Sequence, residues 1–392
     1  MSITRLRNVH LFDGVEMHSP HRVEFDSQCI RLVSEEPAAD GTDTKDSIDL
    51  AGTWLVPGLT DAHVHLELNP DDKEPPAPNA PRDLDAMADR ARAMVEAGIT
   101  SARDLGGGAW AEFTIRDRIN AGAIPGPRFL CAGQPVTSMQ GHCHFWGGEV
   151  STLAEAQAVL DKQIEQGADL FKIMATGGRF TPNSSPSKAQ FELNFMQALV
   201  KAANEAGLRV AAHCHGSEGI HHATHAGVTS IEHCSWVGED GRWASDYQPE
   251  VAAEMARRGI WVSPTVGAGW QRFLDSNSEM IEKFRACFDD MRGKGVALIA
   301  STDAGIPGVY HHHLPKALEV FRQIAGLSHL ETLRSATANA ADALGLSDVT
   351  GRIKEGLAAD LLLLDSNPLE DLTTLQRPLA IWARGEAVKP LG

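Results

Sequence analysis

The sequence predicts an α/β protein in which a (β/α)8 TIM barrel is joined to a small β-sandwich domain. Between residues 58 and 344, short apolar segments alternate with amphipathic segments, which is typical of a parallel sheet with crossover helices. Both ends of the chain instead show short strand patterns separated by turns. About eight strand and helix units can be placed, which is the number that a TIM barrel requires.

The N-terminal part, residues 1–57, shows strand patterns and turns but no helical period. Its candidate strands are Arg5 to Phe12, His21 to Asp26, Cys29 to Val33 and Ile48 to Val56. The C-terminal part, residues 345–392, returns to the same pattern at Ala359 to Asp365 and at Leu379 to Val388. The simplest arrangement is one β domain that both termini build together.

The middle part, residues 58–344, carries the barrel pattern. Its candidate strands begin near His63, Ile99, Phe129, Leu170, Val210, Ile231, Trp261 and Ala297. Its candidate helices include Asp83 to Ala97, Leu153 to Gln166, Phe191 to Ala206, Pro249 to Arg258 and Glu279 to Arg292. Several of these helices are followed by a glycine, which suits a helix C-cap. A doubly wound sheet is the alternative, but such sheets seldom carry eight units.

Composition limits the kinds of partner. The net charge of -17 argues against nucleic acid, because phosphate binding needs clustered Lys and Arg. No apolar run approaches the roughly 18 residues of a membrane helix, and the first 13 residues lack the apolar centre of a signal peptide. Six cysteines without a Cys-x-x-Cys pair indicate reduced thiols. We therefore expect a cytoplasmic homo-oligomer that acts on a small-molecule substrate, without a membrane partner.

Polar residues of metal-ligand type close five of the predicted strands. Residues two apart in a strand face the same side, so His63 and His65 can point at one ion. Lys172 lies inside an apolar run, where an amino group is costly unless it is paired or modified. The remaining candidates are His213, His215, His233 and Asp303.

Each of these residues alone has an ordinary structural interpretation. A buried histidine can bond to a carbonyl group, a lysine can lie at a rim, and an aspartate can cap a helix. Together they would meet at the carboxyl ends of the strands, which form the functional face of a TIM barrel. Imidazole with carboxylate suits zinc or a similar divalent ion, so the sequence predicts a metal site at this face.

The motifs around these residues resemble those of one known family. Residues 56–66 read Val-Pro-Gly-Leu-Thr-Asp-Ala-His-Val-His-Leu, and residues 172–178 read Lys-Ile-Met-Ala-Thr-Gly-Gly. With Ile-Glu-His at 231–233 and Ser-Thr-Asp-Ala-Gly at 301–305, they are similar to motifs of the amidohydrolase superfamily, in its imidazolonepropionase-related and prolidase-like branch. Residues 351–360 also match the tail of that branch, so the resemblance covers nearly the whole chain.

The resemblance implies a binuclear centre with two divalent ions, expected to be Zn²⁺. One ion would be bound by His63, His65 and Asp303, and the other by His213 and His233. Lys172, carboxylated by carbon dioxide, would bridge them. A hydroxide between the ions would be the nucleophile, since the metals lower its pKa. Asp303 would act as general base and then as general acid.

Three further residues are candidates for contact with the substrate. His142 follows the third predicted strand in a glycine-rich loop, and His215 could polarise the substrate carbonyl. Arg179 follows the fourth strand after paired glycines, where its guanidinium could bind a substrate carboxylate with two bonds. A solvated loop is the alternative interpretation for His142 and Arg179.

The function expected from this resemblance is hydrolysis of an amide bond, as in a dipeptidase or carboxypeptidase-like enzyme acting on Xaa-Pro or N-acyl amino acids. The alternatives are an imidazolonepropionase-type cyclic amidase, an amidase for a larger N-acylated amino acid, and a deaminase. Deaminases of the superfamily typically use one metal and no bridging lysine, so Lys172 favours the amide hydrolases.

Overall fold

A computed structural model describes residues 3–35, 47–78, 80–276 and 279–391 of the chain. The N-terminal part contains strands and no helix within these ranges. Its strands are β1 (Thr4–Phe12), β2 (Met17–Phe25), β3 (Ile30–Glu35), β4 (Ile48–Asp49) and β5 (Trp54–Pro57).

The middle of the chain alternates strands with helices, as predicted. Its first half contains β6 (Leu59–Val64), α1 (Leu84–Glu96), β7 (Ile99–Asp104), α2 (Ala111–Asn120), β8 (Arg128–Cys131), β9 (Thr137–Ser138), β10 (Glu149–Val150), α3 (Leu153–Gln166) and β11 (Leu170–Met174). Its second half contains α4 (Leu193–Glu205), β12 (Arg209–Gly216), α5 (Ser217–Ala226), β13 (Ser230–Val237), α6 (Pro249–Arg258), β14 (Trp261–Ser263), α7 (Gln271–Asp275), α8 (Glu279–Gly293), α9 (Leu314–Ala325), α10 (His329–Ser335) and α11 (Ala338–Leu344).

The parallel strands follow the order of a TIM-like barrel. Strands β6 to β8 form one sheet, and strands β11 to β14 form another. Isolated parallel bridges connect the remaining neighbours: Val136 with Ile173, Val262 with Leu298, and Val64 with Ala304. The expected mixed α/β class is thus confirmed, although single bridges replace continuous pairing at these three junctions.

The eighth predicted strand, beginning near Ala297, is not a regular strand. Leu298 and Ala304 form only isolated bridges. The backbone of Asp303 has a φ of 62°, in the left-handed region, which interrupts an extended ladder. The amide and hydroxyl of Thr302 donate to the carboxylate of Asp61 at 3.1 and 2.6 Å, and the amide of Asp303 donates to the carbonyl oxygen of His63 at 2.9 Å. Side-chain and backbone bonds to β6 together therefore fix the position of Asp303.

Both termini contribute to one eight-stranded sheet. The C-terminal strands are β15 (Leu361–Leu364), β16 (Ala380–Ala383) and β17 (Glu386–Lys389). The sheet has the order β17-β16-β15-β5-β1-β2-β3, with β4 beside β1. In a flat sheet, β2 and β16 would lie about 19 Å apart, at roughly 4.8 Å per strand. The rings of Phe25 and Trp382 nevertheless lie 5.5 Å apart, so the sheet curls on itself around an apolar core.

The barrel core explains why its strands contain so few exposed residues. All residues of β6, β7, β11 and β13 are buried, because helices cover one face and the barrel interior the other. Helix α3 shows the local signals: Thr152 and Glu155 form a capping box, and Gly167 ends the helix with a φ of 80°. Among the helices of the described ranges, none has the length and apolar character needed to cross a bilayer.

Candidate metal centre

The predicted ligand residues converge at the carboxyl ends of the parallel strands. Strand β6 provides His63 and is followed by His65, and β11 provides Lys172. Together with residues from β12, β13 and the segment before Gly305, they surround a cavity of about 220 Å³. The predicted site residues that line this cavity are His63, His65, His142, Lys172, Arg179, His213, His215, His233 and Asp303.

One ligand group consists of His63, His65 and Asp303. The Nε2 atoms of the two histidines lie 3.3 Å apart, and each lies 3.3 Å from Oδ1 of Asp303. A tetrahedral zinc ion with bonds of about 2.0 to 2.1 Å holds its ligand atoms at roughly this separation. The three atoms therefore fit a single metal ion.

Hydrogen bonds fix the tautomers of these two histidines. Nδ1 of His63 donates to Oε2 of Glu232 at 3.0 Å, because a carboxylate only accepts. Nδ1 of His65 donates to the carbonyl oxygen of Gly106 at 3.1 Å. Both Nε2 lone pairs are thereby left for a cation, which is the usual arrangement of partners around metal-binding histidines.

A second ligand group consists of His213, His215 and His233. Nε2 of His213 donates to the carbonyl oxygen of Gly177 at 3.1 Å, which leaves Nδ1 as its ligand atom. Nδ1 of His233 bonds to the Thr265 hydroxyl at 2.8 Å. The expected pair of His213 and His233 is thus brought together, and His215, expected to contact substrate, lies in the same group.

Burial keeps the imidazoles of His63, His213, His215 and His233 neutral. Burial, with Lys172 second, lowers the pKa of His63 to about 4, and burial lowers the pKa of His215 to about 4. Burial would raise the pKa of Asp303, but His63, His65 and Lys172 hold it well below its usual range. At neutral pH the centre therefore offers neutral imidazoles and an ionised carboxylate, which are the forms that bind divalent cations.

Lys172 has no hydrogen-bond partner for its Nζ among the described residues, although its side chain is only 1% exposed. Burial lowers its pKa from 10.5 to about 8. A buried amino group without a partner is costly, and such a group is expected to be modified or to meet a ligand.

Three residues at the centre have a strained, left-handed backbone. His233, Thr265 and Asp303 all have left-handed φ values, of 65°, 56° and 62°. A β-branched residue such as Thr265 rarely adopts this conformation, which costs on the order of 1 to 2 kcal/mol. Strain of this kind is typically found where side chains must be aimed at a functional site.

The cavity mouth combines a cation with aromatic rings. The guanidinium of Arg179 lies 5.2 Å from the ring centroid of Trp243. Trp243 in turn lies 5.5 Å from the rings of both His215 and Trp270. None of the described carboxylates pairs with Arg179, so its charge is available to a ligand.

His142 lies against the metal ligands. Its ring is 4.4 Å from the ring of His213, and its Nδ1 is 3.0 Å from the Thr181 hydroxyl. A Cβ atom on Gly178 would lie 2.4 Å from the His142 ring. Gly178, the second of the paired glycines before Arg179, therefore allows close packing of His142 at this position. Burial lowers the pKa of His142 to about 3, so this imidazole carries no charge at neutral pH.

Sequence reasoning assigned no role to the residues that support the ligands. Glu232 belongs to the Ile-Glu-His motif and bonds to His63. Arg103, on the buried strand β7, pairs with Glu232 at 2.8 Å. A charge within a predicted strand, the feature that singles out Lys172, also marks Arg103, although Asp104 beside it makes this signal weaker. His311, whose Nε2 donates to the carbonyl oxygen of His65 at 3.1 Å, shows no such signal in the sequence.

The chain is similar to known proteins over most of its length. The amidohydrolase family model matches residues 54–388. The chain is 30% identical over 385 residues to an ochratoxinase of Aspergillus niger, covering 86% of this chain and 76% of that protein.

Solved structures give the same result for the fold. A Xaa-Pro dipeptidase with methionine bound in its active site has a TM-score of 0.84 and 26% identity, covering 99% of this chain and 100% of that one. A prolidase in complex with N-methylphosphonate-L-proline has a TM-score of 0.82 and 26% identity, with the same coverage. These similarities extend through the barrel and the sheet of both termini.

Proposed function

We propose that this chain, which belongs to the amidohydrolase family and is a hydrolase of carbon-nitrogen amide bonds, releases a C-terminal amino acid from a dipeptide or an N-acyl amino acid. The observation that carries the substrate class is Arg179. Its guanidinium, which none of the described carboxylates pairs with, lies 5.2 Å from the ring centroid of Trp243 and lines the same cavity as the two ligand groups.

The proposed cofactor is a pair of divalent ions, with zinc favoured by the imidazole and carboxylate ligands. His63, His65 and Asp303 would hold one ion, and His213 and His233 the other. When bound, such ions lower the pKa of water and polarise an amide carbonyl.

Lys172 is proposed to be carboxylated and to contribute a shared ligand. An ammonium group between two cations would be repelled, whereas a carbamate is an anion that can contact both. Only a neutral amine reacts with carbon dioxide. With its pKa lowered to about 8, roughly half of the Lys172 side chains are neutral near that pH, compared with well under 1% for an unperturbed lysine.

Asp303 is proposed as the group that moves the proton. Its carboxylate is ionised, lies 3.3 Å from the Nε2 atoms of His63 and His65, and lines the cavity. It would accept a proton from the attacking water and deliver it to the leaving nitrogen. His215, a neutral imidazole on the cavity wall, would bond to the scissile carbonyl.

Arg179 and His142 are proposed to hold the substrate carboxylate by different means. Arg179 supplies the positive charge, and its planar guanidinium can bind a carboxylate with two bonds. His142 is neutral and would add a hydrogen bond only. The rings of Trp243 and Trp270 beside Arg179 would pack against an apolar side chain of the released amino acid.

The test is a screen of metal-reconstituted protein against dipeptides, N-acyl amino acids and the corresponding C-terminal amides. We expect two metals per chain, turnover of the acids, and loss of that turnover when a chelator removes the metals. Full activity in verified metal-free protein would contradict the metal mechanism. Turnover of a cyclic amide, with none of the linear acids, would show that the substrate class is wrong.

A further inference from the structure

A buried network of charges crosses the barrel interior beneath the first ligand group. Arg103 lies on β7 and Glu232 on β13, and both side chains are under 5% exposed. Nη2 of Arg103 donates to Glu232 at 2.8 Å, and its Nη1 donates to the hydroxyl of Ser230 at 2.9 Å. Ser230 in turn donates to Glu232 at 2.6 Å. Residues 129 apart in sequence are thus held in one rigid cluster.

The network also contacts strand β6 at two neighbouring points. Nε of Arg103 donates to the carbonyl oxygen of Ala62 at 2.7 Å. Oε2 of Glu232 accepts from Nδ1 of His63 at 3.0 Å. The backbone next to His63 and the ring of His63 are therefore fixed by the same ion pair.

We propose that Arg103 and Glu232 are positioning residues that aim His63 at a metal ion. Glu232 holds the proton of His63 on Nδ1, so that the lone pair of Nε2 points to Asp303, and Arg103 holds Glu232 in place. This inference rests on the metal centre of the proposed function. The second ligand group has separate hydrogen-bond partners, Gly177 and Thr265.

The test uses Glu232→Gln, which keeps the shape but replaces one acceptor oxygen with a donor. If the amide nitrogen faces His63, the imidazole proton must move to Nε2, which can then no longer bind a cation. If it faces Arg103, two donors oppose each other. We expect the first ion to bind about ten- to a hundredfold more weakly, which is the usual effect of losing such a partner. Arg103→Lys keeps the charge, but its compact ammonium cannot span the three acceptors that the guanidinium reaches, so it should produce a smaller loss at the same ion.

The measurement is metal content per chain at increasing chelator concentration, with anomalous diffraction to locate the ion that remains. Thr265→Val is the matched control, because it removes the partner of His233 and should weaken the other ion instead. Thermal unfolding of the metal-free variants shows whether weaker metal binding comes from a misplaced His63 or from a general loss of stability.

Retention of both ions at wild-type affinity in Glu232→Gln would overturn the inference. Equal weakening of both ions, together with a loss of metal-free stability, would also overturn it, because the ion pair would then be purely structural. A wild-type chain that binds no divalent ion would overturn the proposed function itself.

Discussion

The two ligand groups lie side by side but have different chemistry. The first group combines two imidazoles with the carboxylate of Asp303, and the ion pair of Arg103 and Glu232 supports it. The second group contains only the imidazoles of His213, His215 and His233, and its partners are hydroxyl and carbonyl groups without charge.

This difference indicates that the two ions would be held by different means. The first group supplies its own negative charge, which attracts a cation strongly in a buried site. The second group supplies none, so a carboxylated Lys172 would be its anionic ligand. We therefore expect the second ion to depend on Lys172 more than the first.

The largest expected effect is that of Lys172→Ala. The variant should lose the second ion and weaken the first, and turnover should fall by at least about a thousandfold, because a single ion would not polarise both water and substrate equally well. Metal analysis and steady-state kinetics measure the two effects. Short carboxylic acids, which can occupy the space left by the carbamate, should restore part of the activity.

Two outcomes would contradict the expectation that the second ion depends on a carboxylated Lys172. If Lys172→Ala retains both ions, the all-imidazole group needs no anion. If a metal-loaded structure shows an unmodified Lys172, the proposed carbamate is wrong.

Much of the fold could be predicted from the sequence because the local signals and the tertiary structure agree. The predicted helices at 153–166 and 249–258 have the same bounds in the structure. Both begin with strong signals, a capping box at Thr152 and a proline at position 249, and both end at a glycine in the left-handed conformation. Alternation within strands likewise placed His63 and His65 on one side.

Other features could not be predicted, because they depend on contacts across the barrel. The eighth strand is interrupted by the left-handed backbone of Asp303, and its anchor, Asp61, lies 241 residues away from Thr302. The location of His215 beside His233 and the support of His63 by Glu232 are set by how strands meet, not by periodicity within one strand.

A second prediction concerns how acid affects the stability of the metal-free protein through the histidines of the two ligand groups. Burial is the main cause that lowers the pKa of His63 from 6.5 to about 4 on folding, and it also lowers the pKa values of His213 and His233 well below 6.5. Between these pH values the unfolded chain binds protons that the metal-free folded chain does not. The stability that comes from these lowered pKa values is therefore fully present above pH 6.5. It is lost as the pH falls toward 4, by about 1.4 kcal/mol per pH unit for each proton.

Thermal unfolding of the chelated protein between pH 7 and 4 measures this loss. His63→Asn should flatten the dependence between pH 6.5 and about 4, and His233→Asn should also reduce the loss of stability in acid. A midpoint that does not change between pH 6.5 and 4 would show that these imidazoles are not neutral in the folded protein.

The smallest expected effect concerns the cavity mouth, which both ligand groups share. Arg179→Ala should lower kcat/KM for substrates with a free carboxylate by roughly ten- to a hundredfold, corresponding to about 1.5 to 3 kcal/mol for a hydrogen bond to a charged group. The matching C-terminal amides should lose much less, because they carry no charge for the guanidinium to bind. Both metals should remain, since Arg179 contacts Trp243 and is not a member of either ligand group.

Lys188→Ala is the matched control for Arg179→Ala, because Lys188 lines a neighbouring cleft and not the metal cavity. It removes the same charge from a nearby segment and should leave the ratio of acid to amide turnover unchanged. If both variants slow acids and amides equally, the effect of Arg179→Ala comes from the loss of positive surface charge in general and not from a contact with the substrate carboxylate. Residues other than Arg179 would then bind the substrate carboxylate. His142 could not take over this role alone, because it is neutral and supplies no positive charge.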